Sequence, residues 1–177
     1  MSLTLINLDE RTRSLMLKEV ESDDERGELY ISSRLSKHGQ QDYPHLLEEA
    51  VAKYDAAWLA DMLRAGNRMN VAEQRRKPKG GYTVAKVPAS APETLAEGEF
   101  NRFYIRALCR RAKEDNITEL IIYLAKDVSS VRPEAEKLVG TAVGVDVLFN
   151  NVITAAGVDA ALGLPPGRNS GLSVRLP

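Results

Sequence analysis

The segment TLAEGEFNRFYIRALCRRAKEDNITELIIYLA, residues 94–125, runs a long amphipathic helix straight into a strand, and that order constrains the fold most. Thr94 and Glu97 have capping-box spacing: the hydroxyl accepts from a free backbone N–H while the glutamate reaches back. Phe100, Phe103, Tyr104, Ala107, Leu108 and Ala112 recur at helical spacing and define an apolar side. Asn116 tolerates a left-handed backbone and stands where the helix should end. Ile117, Leu120, Ile121, Ile122, Tyr123 and Leu124 then read as a buried strand.

Two helices are expected upstream. The first follows Asn7 or Asp9, either of which can cap it, shows an apolar face of Leu8, Leu15, Met16 and Val20, and stops at Gly27. The second is expected from Tyr43 to about Ala65, with Pro44 in its first turn and Gly66 closing it. Leu46, Leu47, Ala50, Val51, Tyr54, Ala57, Trp58 and Met62 give it a broad apolar band. Downstream, Arg132-Pro133-Glu134 opens a short helix ending at Gly140, and residues 143–157 form another.

Two stretches break the helical pattern. In residues 67–93, Pro78, Pro88, Pro92 and the pair Gly80-Gly81 exclude a long helix. This segment is expected as a long exposed loop, or an arm ordered on a partner, with YTVAKV a short strand. Near the C-terminus, LGLPPGRNSGLSVRLP alternates Leu172, Val174 and Leu176 with Ser173 and Arg175, which is strand periodicity. Such a strand pairs either with the 117–125 strand of its own subunit or with a neighbour. The expected fold class is α+β, mainly helical, with helices packed on a small sheet. Residues 1–162 form one globular domain, with 67–93 its long basic loop and 163–177 an extended C-terminal arm.

Lys+Arg number 24 and Asp+Glu 25, so the formal charge is -1 and any affinity for nucleic acid must come from a local patch. Two patches stand out. Arg102, Arg106 and Arg110, spaced by four, stack on one helix face with Lys113 nearby, and repel by roughly 0.2–0.5 kcal/mol per pair unless anions offset them. The offsetting groups are carboxylates of this chain, carboxylates of another, or phosphates. Glu99 is placed to serve Arg102, and Glu114 to serve Arg110 or Arg111. The second patch, Arg75, Arg76, Lys77 and Lys79 before paired glycines, makes a cationic tip able to follow a phosphate backbone.

Signals for catalysis are weak. His38 in a connector and His45 in the first turn of the second helix belong to no nucleophilic constellation. Cys109 shares its face with Ile105, Leu108 and Ala112, the setting of an inert core thiol. The acids of ESDDERGE and EDNITE read as helix-terminus residues and match no calcium loop, and the glycines match no phosphate loop. No metal, no cofactor and no enzymatic activity are expected. The opening residues lack a signal-peptide core and no apolar run reaches membrane-spanning length, so the cytoplasm is the expected location.

The stretches KVPASAPETLAEGEFNRFYIRALCRRA and GLPPGRNSGLSVRL resemble a family of small proteins met in bacterial genomes, prophages and tailed phages. The likeness covers roughly the C-terminal two thirds and transfers no catalytic or binding residue. It implies a phage-derived component, and hence a virion location. The leading expectation is a structural or assembly protein near a head–tail junction. It would be a homo-oligomer or a partner of other assembly proteins, using Arg102, Arg106, Arg110, Leu172, Val174 and Leu176 for contacts. The alternatives are a nucleic-acid-associated accessory protein that uses residues 75–79, and an enzyme of unrecognised type.

Overall fold

The computed structural model describes residues 3–126, 131–155, 157–165 and 169–177. Among these the chain is mainly helical, with two small antiparallel sheets, as the α+β expectation requires.

Helix α1 (Glu10–Glu25) begins where Asp9 accepts from the Thr12 N–H and ends before Gly27, at φ +67. The second expected helix is two helices. Helix α2 (Lys37–Lys53) starts earlier, because Ser36 Oγ accepts from Gly39 N at 3.1 Å and so caps a helix ahead of Pro44. Pro44 therefore lies inside the helix, where burial of Tyr43, Leu46 and Leu47 offsets its missing N–H. The register depends on Gly39, since a Cβ there would sit 2.1 Å from the Arg68 carbonyl oxygen. Asp55 then restarts the chain as α3 (Ala56–Arg64), accepting from Trp58 N at 2.8 Å.

Residues 67–93 are not a loop. Strands β1 (Ala72–Arg76) and β2 (Tyr82–Lys86) pair into an antiparallel hairpin, and β2 falls on the expected YTVAK. Helix α4 (Ala91–Glu114) starts three residues before Thr94, behind Ser90 and with Pro92 in its first turn. The capping box does not form: Thr94 Oγ1 donates to Ser90 O, and Glu97 is buried against Lys126. Asn116 does adopt the left-handed conformation after α4, at φ +57.

Strand β3 (Glu119–Leu124) is the centre of a three-stranded sheet, flanked by β4 (Ala142–Gly144) and β5 (Leu172–Arg175), both antiparallel. Helices α5 (Pro133–Glu136), α6 (Val145–Thr154) and α7 (Val158–Ala161) complete the chain. At 24 residues α4 is about 36 Å long. It packs against α1, α3, α6 and β5, so the core is built around it. Helix α1 joins that core, with Met16 and Val20 fully buried.

The C-terminal strand is not a projecting arm. Leu172 and Val174 are fully buried, and β5 pairs with β3 of its own chain, Leu124 opposite Leu172 and Ile122 opposite Val174. Ser173, a polar position of that alternation, is buried as well; it donates to Asn101 Oδ1 at 2.6 Å, while Asn101 Nδ2 donates to the Leu172 carbonyl at 2.8 Å. These bonds satisfy the polar groups that burial of the strand would otherwise strand. The chain ends are tied down together, with Leu176 N donating to Asn7 Oδ1 at 2.9 Å.

Candidate functional site

The arginine stripe finds its anions inside its own chain. Glu19 and Asp23, one turn apart on α1, face α4, and Arg106 lies between them with 2% of its side chain exposed. Arg106 donates to Glu19 Oε2 from Nε and Nη2, at 2.8 and 2.6 Å, and to Asp23 from Nη1 and Nη2. Arg110 donates to Glu19 Oε1 at 2.7 Å and covers the Phe149 ring at 4.4 Å. Arg102 takes Glu99, as expected, and also the Val152 carbonyl. Burial pushes the Asp23 carboxyl up, but the bonds and charge of Arg106 outweigh it and hold it below the ordinary range.

The three arginines therefore join α4 to α1 and α6. Of the three, Arg106 is sealed from any partner, whereas Arg110 stays half exposed. Glu114 serves neither Arg110 nor Arg111; it accepts from Arg11 of α1 at 2.8 Å.

The other candidates for chemistry are dispersed. Cys109 is fully buried, and burial pushes its thiol up to about 12. His38 sits in the first turn of α2 and His45 in its middle, both exposed, each facing an acid of its own helix. Among the described residues no group of three His, Cys, Asp or Glu side chains could hold a metal ion. No described helix is long and apolar enough to cross a membrane.

The hairpin differs from all of these. Its turn is closed by Lys77 N to Gly81 O at 2.9 Å and Gly80 N to Lys77 O at 3.1 Å. Gly80 and Gly81 take φ of +90 and +78, a region that side chains other than glycine avoid. The register places Arg76 opposite Tyr82, Gln74 opposite Val84 and Ala72 opposite Lys86. Directly opposed residues project from the same face. One face thus carries Arg76, Tyr82, Val84 and Lys86, with Tyr82 67% and Val84 72% exposed.

The opposite face is anchored at Glu73. Its carboxylate accepts from Arg34 Nε at 2.6 Å and from Arg75 Nε at 2.7 Å, and these bonds hold it below the ordinary range. Arg75 is thereby partly neutralised. Arg76, Lys77, Lys79 and Lys86 have no ion-pair partner among the described residues. Arg75, Arg76, Lys77 and Lys79 are all exposed, Arg75 on the Glu73 face of β1, Arg76 on the other, and the two lysines at the turn. Tyr82, Val84 and Lys86 were missed, although the alternation in YTVAK is the signal that would have put them on one face.

A mainly helical α+β protein with a projecting cationic hairpin is the class that fold and site define. No protein-family model, curated protein or solved structure matches the chain.

Proposed function

We propose that this protein is a non-enzymatic binding protein, nucleic-acid-associated, and that the 72–86 hairpin is its grip. The observation that carries this reading is the open face of Arg76, Tyr82, Val84 and Lys86, continued by Lys77 and Lys79 at the tip. An isolated two-stranded hairpin gains little stability by itself, so one with a face bare to solvent is suited to being covered by a partner. Each five-residue strand spans about 17 Å, and a two-stranded ribbon fits the major groove of B-form DNA. Unpaired lysines and arginines displace phosphate counterions, while Tyr82 offers a ring for a base or sugar.

Fluorescence anisotropy of a labelled duplex across a salt series tests this. Binding should weaken steeply with salt, with a log–log slope on the order of 3–4 for four phosphate contacts. Replacing Arg76, Lys77, Lys79 and Lys86 by serine should remove it. Salt-independent binding, or none at low salt, would exclude the reading.

Assembly through the same hairpin is the second reading, favoured by Val71, Tyr82 and Val84, which expose apolar surface next to unpaired strand edges. It fits the resemblance to phage proteins, and it predicts a larger particle in solution without nucleic acid.

A further inference from the structure

Helix α4 carries a glycine that its own fold does not use. Gly98 lies within the helix, where glycine weakens the backbone relative to alanine, and a Cβ placed there meets nothing within 4 Å. The open space above it is part of a cavity of about 540 Å³, within the range of small-ligand sites. Ala91, Leu95, Gly98 and Arg102 line it along one stripe of α4, and Arg34 with Glu73 closes the side beneath the hairpin.

The polar groups at this cavity are incompletely used. Arg102 Nη1 reaches the two Glu99 oxygens only at 3.4 Å each, long for a charge-assisted bond. Arg102 Nη2 and Arg34 Nη1 have no hydrogen-bond partner among the described residues. Both side chains line the cavity and keep some exposure, so these donors are open to an incoming anion.

We infer that the cavity binds a small amphipathic carboxylate, its head bonded by Arg34 and Arg102 and its apolar body resting over Gly98 against Ala91 and Leu95. Guanidinium nitrogens match the planar carboxylate geometry. Glu73 and Glu99 already offset most of the local positive charge, so a monoanion is accommodated and a phosphate dianion is not. The cavity meets the hairpin at Glu73, on the face opposite Arg76, Tyr82 and Lys86.

Calorimetric titration of the full chain with benzoate, and separately with inorganic phosphate, tests the assignment. Benzoate should bind saturably below about 10 mM, with phosphate at least about tenfold weaker. The variant Gly98→Ala should keep or raise the melting temperature, since alanine favours the helix, while weakening benzoate at least about tenfold. Arg102→Lys should weaken benzoate as well, because a point charge cannot replace the planar fork. No saturable benzoate binding, phosphate binding as tight as benzoate, or unchanged benzoate affinity in Gly98→Ala would each overturn the inference.

Discussion

Arg106 of α4 holds Asp23 of α1 through two nitrogens, Nη1 to Oδ2 at 2.5 Å and Nη2 to Oδ1 at 2.9 Å, in a setting sealed from water. The same guanidinium takes Glu19, so one buried cation joins two acids to the central helix. Removing it leaves two buried carboxylates offset only by the half-exposed Arg110 at Glu19 and Arg26 at Asp23. Arg106→Ala should therefore cost about 3–5 kcal/mol in urea denaturation. Arg11→Ala, which breaks pairs with Glu114 and Asp115 at the surface, should change the midpoint far less.

Two buried acids should respond to pH in opposite directions. The Asp23 carboxyl is lowered on folding, so its contribution is present above its unfolded pKa, about 3.9, and is lost as pH falls through the lower folded value. The Glu99 carboxyl is raised, mainly by burial, so its contribution is fullest below about 4.3 and is lost as pH rises through the higher folded value. Glu99→Gln should accordingly raise the urea midpoint at about pH 7, and the gain should shrink toward about pH 4. A gain that grows on acidification would contradict the assignment.

The C-terminal strand should behave as core. Leu172→Ala should destabilise by about 2–5 kcal/mol, because a fully buried side chain opposite Leu124 is lost. Truncation after Gly163 should abolish the cooperative unfolding transition rather than release a folded, shortened chain. A truncated chain with native circular dichroism would place the strand outside the fold's core.

Cys109 should stay unreactive toward a maleimide until denaturant unfolds the chain, since its thiol is fully buried and held protonated. Rapid labelling of the native protein would contradict that.

Periodicity made α1, α4, β3 and α6 legible, because each repeats apolar side chains on one face. Boundaries failed where polar chemistry decided them. Ser36 caps α2 ahead of Pro44, and a lone serine in a connector looks like any other until its bond to Gly39 N is seen. Charge pairing was half legible. The spacing of Arg102, Arg106 and Arg110 demanded anions, and Glu19 and Asp23 have matching spacing, but about ninety residues of intervening chain hid the match. Arg75, Arg76, Lys77 and Lys79 were visible as a patch. Their placement on a ribbon depends on the pairing of Gln74 with Val84 and Arg76 with Tyr82, and nothing in AEQRR by itself reads as a strand.

The hairpin as a surface completed by nucleic acid is the claim on which the functional reading rests. Hydrogen exchange of backbone amides in residues 72–86, measured with and without a DNA duplex at low salt, addresses it most directly. Rapid exchange in the protein alone and marked slowing on the duplex, with α1 and α4 amides unchanged, is the predicted outcome. Identical hairpin exchange in the two samples, whether or not DNA binds elsewhere, would contradict it.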